Sequence, residues 1–231
     1  MSEQNSVSFV YRLLRGTFRL LFRLLTRLDV RGMEQTPLDG PLLMTANHTS
    51  LLEGPLVFAY TPRVPVSVLA KKEWEGTPIA TFVIDHLNPV YVNRGEMDRK
   101  ALTVMLRRLK GGEAFGIAPE GTRSESGSLM QGKEGAAYLA TRSNAQLLPI
   151  AVWGHTELFS SLKRFRRPTV HLHVGEPYRL VDDPDLSRQE NLAAHIERIM
   201  VEIARLLPPE LRGDYAHAVE GPARWQRPAL N

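Results

Sequence analysis

Three short segments carry residue types that can do chemistry together. In TANHTSLLEGP, residues 45–55, Asn47 and His48 close an apolar run and Glu53 stands five residues beyond the histidine. A neutral imidazole can take the proton of an alcohol, and a carboxylate on its other nitrogen fixes the tautomer that leaves a lone pair free. In a continuous helix, five residues turn through roughly 140°, so the two side chains would point apart. With His48 in a strand-to-helix turn and Glu53 in the first helical turn, they can meet. Ser50-Leu51-Leu52-Glu53 also fits a capping box, in which the glutamate only reaches back to the serine N–H. Spacing alone leaves both roles open.

The second segment is Pro119-Glu120-Gly121-Thr122-Arg123-Ser124, which follows the strand-like AFGIA. Glycine lets the backbone approach an anion, threonine offers a hydroxyl, and arginine offers a fork matched to phosphate oxygens. A plain turn with a solvated arginine is the simpler alternative. The third, Val92-Asn93-Arg94-Gly95, ends another apolar run and delivers a second guanidinium. Lys71 and Lys72, after the run PVSVLA, suit either phosphate binding or a solvated pair. His171 and His173 alternate on one strand face, but no third ligand stands in an obvious pattern, so they are read as ordinary surface histidines. The basic loop LKRFRRP, residues 162–168, can meet lipid head groups or the phosphates of CoA, or simply water.

These segments need a scaffold. LLMTAN, PVSVLA, PVYVNR, AFGIAP, QLLPIAVWG and TVHLHVG read as short strands, apolar on both faces, as in a sheet covered on two sides. Helical patterns lie between them near 51–60, 77–87, 96–110 and 133–143, and a last amphipathic helix runs to Pro208-Pro209. The alternation predicts an α/β fold, a mixed sheet covered by helices. The expected organisation is an N-terminal amphipathic helix over 1–30, one domain over 31–209, and a poorly regular tail over 210–231.

The N-terminal stretch, residues 7–28, carries arginines at 12, 15, 19, 23 and 27. At about 100° per residue they occupy an arc of roughly 120°. Leu13, Leu14, Phe18, Leu20, Leu21, Phe22, Leu24, Leu25 and Leu28 fill the other side. Such a helix is too polar to span a bilayer and lacks the apolar core of a signal peptide. It suits the interface of an anionic membrane, which predicts peripheral attachment on the cytoplasmic face; a cationic helix packed on the body of the protein, or a calmodulin-type target, is the plainer alternative, and one helix can serve both the membrane and the body. A net charge of +4 agrees with anionic partners. The basic residues are strung along one helix and isolated loops, which argues against nucleic acid. The chain has no cysteine, which excludes disulfides, thiolate metal sites and a cysteine nucleophile.

The segments together resemble the glycerolipid acyltransferases, the lysophosphatidic-acid-acyltransferase-like family. NHTSLLE is similar to its first block, VNR to the second, APEGTRS to the third, and LLPIAV with Pro149 to the fourth, in order and spacing, across about residues 30–180. The resemblance implies transfer of a fatty acyl group from acyl-CoA or acyl carrier protein to the free hydroxyl of a lysophosphatidic-acid-type acceptor in phospholipid biosynthesis. It implies His48 as general base, Glu53 as its orienting carboxylate, and Arg94, Glu120, Gly121, Thr122 and Arg123 as the acceptor's phosphate and glycerol site. It implies no metal, and no cofactor beyond the thioester co-substrate. Without a cysteine or a GxSxG elbow, direct transfer is expected. One departure from the family pattern is plain: the acidic residue is usually aspartate, and Glu53 is one methylene longer. The rival expectations are another acceptor (a lysophospholipid, glycolipid or aminolipid) and a non-catalytic membrane-binding protein.

Overall fold

A computed structural model describes residues 8–74, 77–92 and 98–220. The elements are α1 (Phe9–Leu25), β1 (Arg27–Arg31), β2 (Leu42–Ala46), α2 (Glu53–Tyr60), β3 (Val66–Lys71), α3 (Pro78–Asp85), β4 (Val90–Val92), α4 (Arg99–Lys110), β5 (Ala114–Ile117), α5 (Gly135–Ser143), β6 (Gln146–Trp153), α6 (Leu158–Lys163), β7 (Thr169–Val174), α7 (Arg188–Leu206) and α8 (Ala216–Glu220). The strands form one mixed sheet in the order β1-β7-β6-β2-β5-β3-β4. Neighbours from β6 through β4 are parallel, β7 runs antiparallel to β6, and β1 is parallel to β7.

The six expected strands are all present, and their two apolar faces have separate destinations. Leu42, Met44, Leu148, Ile150 and Val152 point to a cluster completed by Phe22 of α1 and by Leu56 and Val57 of α2. Leu43, Phe115, Leu147 and Ala151 point the other way, against α4, α5 and α7. Alternation with both faces buried is what a doubly covered sheet requires. Local signals set the helix ends. Asp98 accepts the Ala101 N–H at 3.0 Å and starts α4, Gly111 ends it, and Ser187 with Glu190 forms a full capping box on α7.

Three expectations change. The N-terminal helix stops at Leu25, and residues 27–31 form the edge strand β1. Its five residues are too short for a period-2 pattern to show. Residues 210–220 are not an irregular coat: Tyr215 is buried and its hydroxyl accepts the Gly132 N–H at 3.0 Å.

The third concerns the arginine arc of α1, which is divided. Arg15 and Arg19 donate to the carbonyls of Ala59 and Thr61, at and just past the C-terminal end of α2, where a helix presents unpaired oxygens and negative partial charge. Arg12 and Arg23 stay exposed. The apolar side is divided too. Tyr11, Phe18 and Phe22 face the protein, while Phe9, Leu13, Leu20, Leu21 and Leu24 are exposed. Among the described residues, no helix is long and apolar enough to cross a membrane.

Candidate active site

Parallel strands that sit side by side deliver their following loops to one edge of the sheet. Here β6, β2, β5, β3 and β4 are consecutive, so the residues after each of them gather together. After β2 comes the His48 turn, after β5 the Pro119–Ser124 segment, and after β6 His155.

Asn47 explains how the His48 turn is fixed. Its amide nitrogen donates to the Val152 carbonyl at 2.9 Å, and its amide oxygen accepts the Val152 N–H at 2.8 Å. A side chain thus continues the β2–β6 pairing one residue past the strand. The next residue, His48, is released into the turn. Its backbone is bonded on both sides to the second motif: His48 N–H donates to Glu120 Oε1 at 2.7 Å, and Ser124 N–H donates to the His48 carbonyl at 2.8 Å. The two segments singled out by chemistry are therefore one unit.

Glu53 opens α2 with its side chain folded back into the turn. Its Oε1 accepts from the N–H of Thr49 and of Ser50, both at 2.6 Å, from the Thr49 hydroxyl at 2.9 Å, and from His155 Nε2 at 2.8 Å. Its Oε2 faces His48 Nδ1 at 3.5 Å. The reach back to the Ser50 N–H and the approach to the imidazole are both made, one by each oxygen, but no capping box forms: α2 starts at Glu53 itself, and the Ser50 hydroxyl accepts the Leu52 N–H. At 3.5 Å the imidazole contact is longer than a formed hydrogen bond, as catalytic contacts in ligand-free sites often are. Burial pushes the Glu53 carboxyl upward, but the hydrogen bond from His155, the facing His48 imidazole and the Thr49 N–H outweigh it and hold the group well below the ordinary carboxylate range. Glu53 is therefore an anion at neutral pH. With Nδ1 turned toward that anion, Nε2 is the ring nitrogen of His48 left to meet a substrate.

His48 stands at the wall of a cavity of about 400 Å³. The cavity is lined mainly by apolar groups, among them Met44, Val57, Phe58, Val68, Met105 and Ile117, and it reaches Gly116 of β5, where an added Cβ would meet nothing within 4 Å. Gly121 and Lys133 also line it. Gly121 has φ +71°, and a Cβ there would come within 2.9 Å of the Lys133 side chain, so glycine is required for the lysine stem to lie over the loop.

The remaining expected site residues fall as follows. Glu120 does not point to open space: it is buried, and its two oxygens are taken by the N–H groups of His48 and Met130. Burial raises its pKa against those two bonds. Its place in the structure is to brace the motif loop against the His48 turn. Thr122 and Arg123 are exposed on the same loop. Lys71 ends β3 with its backbone beside Val92, and its side chain lies outside the described part. Arg94 lies outside the described residues, in the segment that follows β4.

Two residues at the site had no signal in spacing. His155 lies more than a hundred residues from Glu53 and is buried to 1% exposure. Gly154 before it has φ +79°, and a Cβ there would stand 2.3 Å from the Thr169 carbonyl oxygen. Only glycine lets β6 turn there. Lys133 is the other; one lysine on a loop is invisible until the loop is folded. His171 and His173 acquire a third partner from β1: His171 Nδ1 and His173 Nε2 reach Asp29 Oδ2 at 2.9 and 3.0 Å.

Comparison with known proteins bears on the family and the fold. The family model described as Acyltransferase matches residues 27–153. A 1-acyl-sn-glycerol-3-phosphate acyltransferase of Borreliella burgdorferi is 27% identical over 76% of this chain and 71% of its own length. A lyso-ornithine lipid O-acyltransferase of Pseudomonas aeruginosa is 26% identical over 73% of this chain and 71% of its own. The crystal structure of the 1-acyl-sn-glycerophosphate acyltransferase PlsC from Thermotoga maritima superposes with a TM-score of 0.63 at 26% identity, covering 86% of this chain and 80% of that one.

Proposed function

The chain belongs to the acyltransferase family, and we propose that it moves a fatty acyl group from acyl-CoA or acyl carrier protein to the free hydroxyl of a lysophosphatidic-acid-type acceptor. The acceptor oxygen attacks the thioester carbonyl while its proton passes to Nε2 of His48. The carbon–sulfur bond then breaks, and the thiolate takes the proton back from the imidazolium. Glu53 stabilises that imidazolium and holds the ring in the productive tautomer, a form of general-base assistance that typically contributes about 10²–10⁴-fold. The apolar cavity takes an acyl chain. Arg123 and Thr122, with Arg94 and Lys133, supply the acceptor's phosphate contacts. Glu120 serves the same site indirectly, by bracing the turn that carries the base.

The observation that carries this proposal is the placement of His48. Its imidazole stands at the wall of an apolar cavity, its Nδ1 faces a buried carboxylate, and its backbone is bonded to the Glu120–Ser124 loop. Purified protein given acyl-CoA and lysophosphatidic acid is expected to release free CoA. His48→Ala should abolish release while liposome binding persists. Turnover unchanged in that variant refutes the proposed base.

The exposed stripe of Phe9, Leu13, Leu20 and Leu24, flanked by Arg12 and Arg23, gives the enzyme a peripheral seat on an anionic membrane, on the cytoplasmic face. Replacing Leu20 and Leu24 by asparagine should release the protein from anionic vesicles and leave turnover of a water-soluble short-chain acceptor intact. Vesicle binding equal to that of the unmodified chain would remove this part.

The similarity to a lyso-ornithine lipid acyltransferase favours one second acceptor, an aminolipid without phosphate. The two separate in a single screen. Preference for the phosphate-bearing acceptor that collapses in Arg123→Ala supports the first reading, and preference for the aminolipid supports the second.

A further inference from the structure

We propose that His155 is a positioning residue for the His48–Glu53 pair. The inference rests on the reading of His48 as general base. Glu53 stands between two imidazoles: Oε2 faces His48 at 3.5 Å and Oε1 takes the Nε2–H of His155 at 2.8 Å. His155 is buried and its Nδ1 has no partner among the described residues. A second proton on that nitrogen would be a buried, unsatisfied donor, so the ring serves through Nε2–H. The backbone amides of Thr49 and Ser50 hold Oε1 from the turn side, and His155 holds it from the β6 side. With one oxygen pinned from both directions, the carboxylate cannot swing, and its other oxygen is aimed at His48. The same contact accounts for glutamate at a position where the family usually has aspartate. The extra methylene lets one carboxylate span from the Thr49–Ser50 turn to the imidazole just past the end of β6.

Losing the Nε2–H has two effects. The carboxylate gains freedom, which lowers turnover. Its carboxyl also loses the hydrogen bond that does most to lower its pKa, so Glu53 takes up a proton, and turnover fails, at higher pH than in the unmodified chain. The other carboxylate bonded to this turn, Glu120, is untouched by the change.

The test is steady-state kinetics of the purified chain with acyl-CoA and lysophosphatidic acid across pH. In His155→Leu, kcat should fall about tenfold, the scale of one lost hydrogen bond to a charged group. KM for both substrates should stay within about twofold, and the acid limb of kcat/KM should move to higher pH. His155→Gln, whose amide N–H can stand near the Nε2 position, should restore both rate and pH limb; His155→Asn, too short, should not. A packing role alone would lower stability without moving the pH limb. If His155→Leu does not fold, the Gln and Asn pair decides, and equal behaviour of the two overturns the proposal. His48→Ala in the same assay separates the layers. An active His48→Ala sinks the general-base reading, whereas an inactive one beside a His155→Leu with unchanged rate and pH profile sinks only this inference.

A different observation carries a second proposal. Asp29, His171 and His173 form the one group of three metal-capable side chains among the described residues, with ligand atoms all within 4.8 Å of one another. The geometry points to a Zn²⁺ site that staples the edge strand β1 to β7. Register puts Asp29 beside His171 and Arg31 beside His173. Trp153 stacks on the His171 ring at 4.5 Å and meets the His173 ring edge-on at 4.6 Å, which fixes both rings. Both nitrogens already converge on Asp29 Oδ2, at 2.9 and 3.0 Å, so a tetrahedral ion with bonds of about 2.0–2.2 Å needs only a small opening. Arg31 holds Asp29 Oδ1 at 2.8 Å, the outer-shell contact that orients a carboxylate ligand. The site is partly open, which leaves room for water as the fourth ligand.

Titrating the full chain with Zn²⁺ alone should show one site, filled stoichiometrically at micromolar protein and raising the melting temperature. Co²⁺ should give the visible absorption of a tetrahedral N,O site. His171→Gln and His173→Gln should each remove all three signals. No binding at micromolar protein, or binding retained in the double variant, overturns the site.

Discussion

Replacing Glu53 by glutamine changes one atom and should stop the reaction. The side chain is buried, with Oε1 accepting from four donors and Oε2 turned toward His48. Glutamine can fit in one orientation only. Its oxygen must take the Oε1 place, because an NH₂ there would confront the N–H groups of Thr49, Ser50 and His155. The NH₂ then faces His48 Nδ1 and donates. Nδ1 becomes an acceptor, the ring proton moves to Nε2, and the atom meant to receive the substrate's proton is already occupied. The loss is the whole general-base contribution, about 10²–10⁴-fold in kcat, or ~3–6 kcal/mol at about 1.4 kcal/mol per tenfold. No substrate contact is removed, so KM should hold. The assay is CoA release with lysophosphatidic acid at saturation, with circular dichroism to show that the variant is folded. A folded Glu53→Gln enzyme with kcat within tenfold of the unmodified one would refute the reasoning.

Other consequences are as specific. Asn47→Ala strands the buried N–H and carbonyl of Val152, and at roughly 1–3 kcal/mol per unpaired group denaturant titration should show a loss of about 2–6 kcal/mol; less than about 1 kcal/mol contradicts the turn-locking role. Gly116→Val adds side chain where no atom stands within 4 Å of the new Cβ, so the fold should persist while acyl-donor competition shifts to shorter chains; an unchanged chain-length profile argues against this cavity as the acyl site. The carboxyl of Glu53 lies below its ordinary value in the folded state, so the stability it lends is complete above the unfolded pKa of about 4.3 and is lost as pH falls toward the folded value. Thermal melts between pH 6 and 2 should therefore fall less steeply for Glu53→Gln than for the unmodified chain, and parallel curves would count against it.

The alternation of two-faced apolar runs was enough to predict the α/β sheet, because each run is both a strand and a core segment. The pairing of His48 with Glu53 was legible only as an alternative to a capping box; in the structure α2 starts at Glu53 itself, so no box forms, and one carboxylate oxygen holds the Thr49–Ser50 turn while the other faces His48. What stayed hidden depends on topology. His155 reaches Glu53 because β6 lies beside β2, an adjacency no local spacing encodes, and Asp29 reaches His171 because β1 adds to the far edge. Glu120 has partners that local spacing does not encode either. A carboxylate in an anion-binding segment suggests a polar contact to substrate, yet both oxygens are spent on backbone amides. Arg15 and Arg19 belong to an arc that suits lipid or the body of the protein, and the structure spends these two on the end of α2. Periodicity tells which residues share a helix face, but not what meets it.

The most direct test is a crystal structure of the chain with a non-reactive acyl-CoA analogue and lysophosphatidic acid bound together. The acceptor's free hydroxyl oxygen is expected within about 2.6–3.2 Å of His48 Nε2, with Glu53 closed onto Nδ1. A complex in which that hydroxyl lies beyond reach of the imidazole, with another side chain at its proton, contradicts the account.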